Sequence, residues 1–288
     1  MAADSRLVAI GLACTAFALF ASMSALAKHL GEVFTTVQIV FFRSVFALLP
    51  LVVLIHGTGL ADILRVERPW LLALRCLVGL LAMLLFFGAV TVLPLAEVVA
   101  LAFAAPIFTT IFGRFLLREQ VGLHRWAAVI VGLVGVMIMV RPGTAMFSPW
   151  SLLPLGSALF YSLGVILVRT LSRTETAPSM VLYFSLFAAT VTGLGVSIDW
   201  RTPGVMELVL LVLMGLFGGV MQLCSISALK RAEVTVLAPF EYTSLLWSTL
   251  LGYAFWNEFP GNHLWLGAAL VCGSALYIVY REARARAG

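Results

Sequence analysis

Charged residues are scarce in this chain. Asp, Glu, Lys and Arg make up only 11% of its 288 residues, whereas 62% are hydrophobic and the mean hydropathy is +1.09. A soluble domain carries about 25% charged residues and about half apolar ones. No soluble fold of this size can bury so much apolar surface, so the composition indicates that lipid surrounds the chain.

The sequence also lacks the signatures of several function classes. It has no HExxH zinc motif, no Gly-x-Ser-x-Gly elbow, no Walker A loop and no CxxC spacing. Its cysteines lie in apolar stretches, as small core residues do; they are Cys14, Cys76, Cys224 and Cys272. These absences argue against an intramembrane enzyme and a primary pump. The sequence predicts no catalytic residue, no metal and no cofactor.

The apolar runs are long enough for membrane-spanning helices. A helix needs about 20 apolar residues to cross the hydrocarbon core, whereas strands of a membrane barrel alternate polar and apolar residues. The runs predict ten spans, near residues 7–27, 37–57, 69–91, 95–117, 124–140, 150–170, 179–199, 205–229, 234–256 and 263–280. The connections are short, so we expect an all-α membrane protein whose function resides in the helix bundle.

The basic residues predict the orientation of the bundle. With the N-terminus inside, fourteen of the eighteen Lys and Arg residues fall on one face. Only Lys28, Arg141 and Arg201 fall on the other, and Arg43 lies within a span. Because Lys and Arg favour the cytoplasmic side, both termini are predicted to be cytoplasmic in a multi-pass protein of a bacterial inner membrane. Basic residues that stand singly also argue against nucleic acid, and the expected partners are lipid and a small molecule.

The two halves of the chain resemble each other. Residues 96–102 open the fourth predicted span, and a similar segment, 232–238, opens the ninth. Further pairs follow in order: Gly79 with Gly215, Glu119 with Glu258, His124 with His263, and Trp126 with Trp265. Each half, 1–143 and 149–288, holds five spans, an odd number, so the two repeats must lie inverted in the membrane. Inverted repeats are common in secondary transporters, which bind substrate near the midplane between the halves.

Short motifs add a family resemblance over nearly the whole chain. They are Ala105-Pro106-Ile107-Phe108-Thr109, Arg141-Pro142-Gly143, Ala238-Pro239-Phe240-Glu241-Tyr242-Thr243 and Asn257-Glu258, with Lys28, Phe41-Phe42-Arg43 and Arg68-Pro69 followed by Arg75. These residues resemble the EamA family of ten-helix carriers in the drug/metabolite transporter superfamily. The nearest subgroup includes S-adenosylmethionine and riboflavin carriers. The resemblance implies a midplane cavity lined by the first, third, fourth, sixth, eighth and ninth spans.

Charged residues within spans are the first site candidates, because each costs about 2.5–3.5 kcal/mol at the bilayer centre. Glu241 lies about 10 Å into the ninth span at 1.5 Å per residue, and it is predicted to serve the substrate pathway or proton coupling. The alternative is a structural glutamate that is neutralised by protonation or by an ion pair with a buried arginine. Pro239 is expected to break this helix and Pro106 the fourth, since proline lacks a backbone donor.

Two arginines are predicted to hold a negative or zwitterionic group of the substrate. Arg43 lies about six residues into the second span and Arg75 about six residues into the third. The alternative for each is that the side chain extends to the nearer interface.

Other polar residues complete the predicted site. Gln222 needs a hydrogen-bonding partner in lipid, and Tyr161 and Tyr242 are further candidates for substrate contact. Glu97 stands in the first turn of its helix, where a carboxylate complements the helix dipole. Lys28 is predicted to anchor its helix at the interface.

These observations predict a secondary transporter that moves a small organic metabolite by alternating access, with proton coupling through Glu241 as a hypothesis. The substrate candidates are riboflavin, S-adenosylmethionine and amino acids. An amino-acid or drug exporter of the same fold and a channel are the alternatives. The Gly215/Gly219 spacing favours packing inside the bundle, and a homodimer is left open.

Overall fold

The computed structural model describes residues 2–51, 63–116, 123–141, 148–196, 199–231, 240–241 and 243–287. Within these ranges the regular structure is helical, without a strand. The helices are α1 (Ala2–Leu30), α2 (Thr36–Phe46), α3 (Pro69–Val92), α4 (Leu95–Ala102), α5 (Ala105–Leu116), α6 (Leu123–Val140), α7 (Leu152–Leu171), α8 (Ala177–Val196), α9 (Val205–Arg231), α10 (Thr243–Trp256) and α11 (Asn262–Ala287).

Six segments are long and apolar enough to cross a membrane. They are Leu7–Leu30, Pro69–Val92, Leu95–Leu116, Pro149–Leu171, Ala177–Val196 and Val205–Ala228. Two shorter apolar helices cover Thr36–Leu51 and Trp126–Val140. The predicted all-α membrane fold is confirmed at this level, and the count of ten spans stays a prediction.

Large apolar side chains cover the outer surface of the bundle. Ile130, Leu194, Leu250 and Leu266 all lie within helices and are each more than half exposed. Exposure of such side chains to water would forgo about 25 cal/mol for each Å² of apolar surface left unburied. The surface is therefore suited to lipid, as the composition indicated.

Glycines allow two pairs of helices to approach closely. A Cβ atom on Gly135 of α6 would fall 2.7 Å from the carbonyl oxygen of Gly267 on α11. One on Gly215 of α9 would fall 3.0 Å from Phe46 Cα of α2, and one on Gly219 would fall 2.8 Å from the Ala47 carbonyl oxygen. The Gly215/Gly219 spacing therefore serves packing within the chain, as small residues do in other membrane bundles.

Helix packing brings four helices together around one interior region. Helix α2 packs against α3, α8 and α9, and α8 packs against α3 and α9. Since α2 and α3 come from the first half of the chain and α8 and α9 from the second, this region lies between the halves. The predicted charged site residues of the second and third spans lie in it.

Candidate substrate site

Arg43 is a buried cation without a counterion among the described residues. It lies in the last turn of α2 and only 2% of its surface is exposed. Gly218 of α9 makes room for it, since a Cβ atom there would fall 2.8 Å from Arg43 Nε. Nε and Nη1 are buried and have no hydrogen-bond partner in the described part of the chain. A buried charge without a partner costs several kcal/mol, so this group is suited to receive an anion.

Arg75 of α3 points to the same place. Its Cζ atom lies over the ring of Phe184, 4.4 Å from the centroid, and the Cζ atom of Arg43 lies 6.0 Å from the same centroid. Arg75 Nη1 is buried and has no hydrogen-bond partner within the described ranges. The structure thus joins two arginines that the sequence could only treat separately, and the two charges act on each other.

Further buried polar groups lie on the same four helices. Ser44 Oγ, next to Arg43 in the chain, and Ser185 Oγ, next to Phe184, are buried and find no partner among the described residues. The same holds for Gln222 Oε1 on α9, one helical turn beyond Gly218 and therefore on the same face of the helix. Buried polar groups are normally hydrogen-bonded, so each of these free atoms is a candidate contact for a polar molecule or water.

Glu241 belongs to a different group of side chains. Its carboxylate acts electrostatically on Tyr161 of α7 and on Cys272 of α11, and no salt bridge joins it to a described residue. Tyr161 is about half exposed. Tyr242 and Pro239, which the sequence placed beside Glu241, lie outside the described residues.

The fourth predicted span is broken. Helix α4 ends at Ala102 and α5 begins at Ala105, with Pro106 as its second residue. Because Pro106 has no N–H group, the carbonyl of Ala102 loses its helical donor. Ser162 of α7 donates a hydrogen bond of 2.7 Å to the Ala105 carbonyl oxygen. A helix of the second half therefore supports the first half directly at the break.

An ion pair joins the halves at one end of the bundle, which we call the Glu258 end. Lys28, in the last turn of α1, pairs with Glu258 Oε1 and donates a 3.1 Å hydrogen bond to the Leu93 carbonyl oxygen. Glu258 Oε2 accepts a 3.2 Å hydrogen bond from Leu95 N–H, at the start of α4. Lys28 also lies over the ring of Trp256, 5.3 Å from its centroid. Glu258 thus binds the end of α1 and the start of α4, and Lys28 extends the contact to the residue that follows α3.

The backbone after α10 sets the position of this carboxylate. Asn257 has φ of 54°, a left-handed conformation that Asn tolerates better than most residues. The Asn257 N–H then bonds the Tyr253 carbonyl at 3.0 Å, and the Glu258 N–H bonds the Gly252 carbonyl at 3.1 Å. This helix-ending motif turns the chain so that Glu258 reaches the first half.

The sequence missed this ion pair. It assigned Lys28 to the interface, but the side chain is only 11% exposed and has a partner. Glu97 does stand in the first turn of α4, as the dipole argument expected, and it also accepts a 3.4 Å hydrogen bond from Ser151 Oγ of the second half. The Asn257-Glu258 motif was the available signal, although a motif alone does not give its partner.

A second carboxylate joins the halves at the opposite end, which we call the Glu175 end. Glu175 lies between α7 and α8 and is 5% exposed. Its Oε1 accepts hydrogen bonds from Glu67 N–H at 2.9 Å and Arg68 N–H at 3.0 Å, directly before α3 begins. A carboxylate at this position also complements the positive end of the helix dipole. The start of α3 is therefore tied directly to the second half, and its other end is tied to Glu258 through Lys28.

These features define the class of the protein. Apolar helices with a lipid-facing surface and buried polar groups between the two halves describe a multi-pass membrane protein. The chain belongs to the EamA-like transporter family, whose model matches residues 7–141 and 148–280. It is thus a transporter and not an enzyme, as the sequence predicted.

Individual relatives cover most of the chain. An S-adenosylmethionine uptake transporter of Rickettsia prowazekii is 31% identical over 267 residues, which is 89% of this chain and 87% of that protein. A riboflavin transporter of Vibrio cholerae is 29% identical over 276 residues, 94% of this chain and 92% of that one. A crystal structure with 21% identity matches 97% of this chain and 99% of its own, with a TM-score of 0.70, and shows the fold alone. The predicted family and its nearest subgroup are confirmed.

Proposed function

We propose that this protein is a secondary carrier that moves a small organic metabolite with an anionic or zwitterionic group across the bacterial inner membrane. The observation that carries the proposal is the pair of Arg43, which is buried, and Arg75, whose Nη1 is buried; neither forms an ion pair within the described part of the chain. Guanidinium donors match a carboxylate in geometry and charge. A bound carboxylate would supply the missing counterion.

Among the candidate substrates, S-adenosylmethionine fits this arrangement best. It has an amino-acid carboxylate, and relatives of this chain carry its name as uptake transporters. Riboflavin offers ring carbonyl groups instead of a carboxylate, and it is the name of other relatives. Free amino acids share the carboxylate but have less surface to bury. The amino-acid or drug exporter of the same fold remains the second candidate.

Ligand binding and counter-transport test the function together. A ligand that binds only the folded state raises its apparent stability, by about 2.7 kcal/mol at a concentration 100 times Kd. S-adenosylmethionine should raise the melting temperature of purified protein, and internal unlabelled compound should accelerate uptake of labelled compound by proteoliposomes. Flux that neither saturates nor accelerates would indicate a channel and reject the carrier.

We also propose that residues 1–143 and 149–288 form two inverted repeats, and the helix packing supports this. Helix α1 packs against α9, and its counterpart in the second half, α7, packs against α3. Likewise α2 packs against α9 while α8 packs against α3, and α1 packs against α10 while α7 packs against α5. Each of these contacts therefore has an equivalent in which the first and second halves change places. Such a pattern is expected when an approximate two-fold axis relates the two halves. Ten spans in two inverted repeats account for this pattern.

Ten spans, together with the excess of Lys and Arg on one face, predict that both termini are cytoplasmic. A reporter that is active only in the cytosol should work when fused after Gly288 and when inserted at residue 65, in the predicted second cytoplasmic segment. The same reporter at residue 201 should be inactive. Activity at residue 201, or inactivity at either other position, would overturn this topology.

Alternating access would use the contacts at the two ends of the bundle. The Lys28–Glu258 ion pair lies at the end that the topology places outside, and the Glu175 hydrogen bonds lie at the end that it places inside. A carrier exposes its site to one side at a time, so each set of contacts would separate in turn. Both sets join the first half to the second, as such a role requires.

Proton coupling is proposed for Glu241. The described residues give it no ion pair, which favours a carboxyl group free to exchange a proton over one fixed by an arginine. Glu241→Gln imitates the protonated form, so this protein should keep substrate binding and stability but lose the response of net transport to an imposed pH gradient. Flux measured in proteoliposomes with and without the gradient checks this.

Glu67→Gln is the matched control for Glu241→Gln, because Glu67 lies at the surface and forms only a loose 3.8 Å ion pair with Arg65. The control should keep the full response to the gradient. Undiminished pH-driven flux in Glu241→Gln protein of normal stability would reject the proton role. A large loss of stability would support a structural role instead.

A further inference from the structure

Phe184 is the common neighbour of the two site arginines. It lies on α8, 3% exposed, and the guanidinium carbons of Arg75 and Arg43 lie over its ring at 4.4 and 6.0 Å from the centroid. Nothing in the sequence marks it among the twenty phenylalanines of the chain. The ring thus stands beside two positive charges, at a place where a buried cation normally has a carboxylate partner.

A ring face stabilises a guanidinium group in a different way from a carboxylate. A carboxylate accepts hydrogen bonds from the N–H groups and occupies them, often two at a time. The ring attracts the cation through its quadrupole, an interaction that reaches about 2 kcal/mol when water is excluded, and it takes up no strong hydrogen-bond donor. The buried Nε and Nη1 of Arg43 and Nη1 of Arg75 have no partner in the described residues, as this difference predicts.

The neighbouring helices are shaped to hold the ring and the cations together. Gly79 lies one turn after Arg75 on the same face of α3, and a Cβ atom there would fall 3.0 Å from Phe184 Cε2. Gly218 of α9 makes the corresponding room for Arg43. A larger residue at either position would require the ring or the guanidinium group to shift. Four helices thus contribute to a single arrangement of one ring and two cations.

We propose that Phe184 is the positioning residue of the anion site, where its ring takes the place of a counterion and leaves the arginine donors free for the substrate. This inference rests on the proposed function and names the feature that the substrate must offer. That feature is an anion such as a carboxylate, which can accept hydrogen bonds from the free guanidinium donors. A substrate analogue without the anion would gain little from the arrangement.

Fluorination of the ring tests this directly, because it weakens the negative face and changes the shape very little. We would replace Phe184 by 4-fluoro- and 3,4,5-trifluorophenylalanine and measure the thermal stabilisation by acetate at constant ionic strength, with a bulky sulfonate as balancing anion. Because the contact holds the guanidinium groups in the binding position before the anion arrives, its loss lowers the binding-competent fraction. The half-saturating acetate concentration should therefore rise stepwise, by about 5- to 30-fold for the full loss of a contact of about 1–2 kcal/mol. Phe184→Leu should show the same loss. Trifluorophenylalanine at Phe87, a buried ring of α3 that is 1% exposed, is the control and should leave acetate binding unchanged.

The outcomes separate this inference from the function on which it rests. A half-saturating acetate concentration that does not change on fluorination at Phe184 would overturn the role of the ring, even if the protein transports S-adenosylmethionine. Equal losses at Phe184 and Phe87 would show a general packing effect and would overturn it as well. If acetate binding follows the ring while no metabolite is exchanged in proteoliposomes, the positioning role stands and the proposed transport function fails.

Discussion

Arg43→Gln and Arg75→Gln proteins should each bind S-adenosylmethionine about 10- to 150-fold less tightly than the wild type. Each change removes a charged donor from a buried site, and a hydrogen bond to a charged group contributes about 1.5–3 kcal/mol. The affinity is measured by titration calorimetry or by ligand-dependent melting. Transport at a fixed low substrate concentration should fall in proportion.

The stability of the same proteins distinguishes binding from a structural role. Arg43 is a buried charge whose Nε and Nη1 find no partner in the described ranges, so its replacement by a neutral amide should leave the melting temperature of the free protein unchanged or raise it. A structural arginine would behave in the opposite way, because its loss would leave partners unsatisfied. Arg65→Gln, at a position 77% exposed, is the control and should change neither quantity. Unaltered affinity together with lower stability would refute the anion site.

A cross-link across the Glu258 end should abolish transport almost completely. The test protein carries Lys28→Cys and Glu258→Cys in a background without the four native cysteines, and a short reversible bis-thiosulfonate reagent joins the new pair. If the two halves must separate at this end, flux in proteoliposomes should fall to near background after linking. It should return when a reducing agent releases the link.

Controls separate the link itself from the substitutions. Each single substitution should transport with the reagent present, although removal of the ion pair will alter the rate. A linked Arg65→Cys and Glu67→Cys pair lies within one segment of the first half and should leave flux intact. Full transport by a protein shown on a gel to be cross-linked at Lys28 and Glu258 would exclude separation of this end.

The helices could be predicted from the sequence because an apolar run is a local property. The third span was expected at 69–91 and α3 covers Pro69–Val92, and the seventh was expected at 179–199 where α8 covers Ala177–Val196. The break at Pro106 was also predictable, since it follows from the chemistry of a single residue.

The candidate site was predicted only in part, because it depends on which helices meet. Arg43 and Arg75 were recognisable as charges inside spans, but their approach to each other depends on how α2 and α3 pack against α8. Phe184 has no chemical signature that separates it from other aromatic core residues. Glu258 was visible in a motif, whereas its partner Lys28 lies 230 positions away and only the fold brings the two together.

The contacts of Glu175 at one end of α3, and of Lys28 with Glu258 at the other, would let this helix tilt about one fixed end. The helix is about 36 Å long at 1.5 Å per residue, and Arg75 lies only about 10 Å from the Glu175 attachment. If the Lys28 contact releases while the Glu175 hydrogen bonds stay intact, a tilt of about 10° moves the far end of α3 by about 6 Å and Arg75 by less than about 2 Å. The pathway at the Glu258 end can therefore widen by the size of a small molecule while the guanidinium group of Arg75 stays close to the anionic group of the bound substrate.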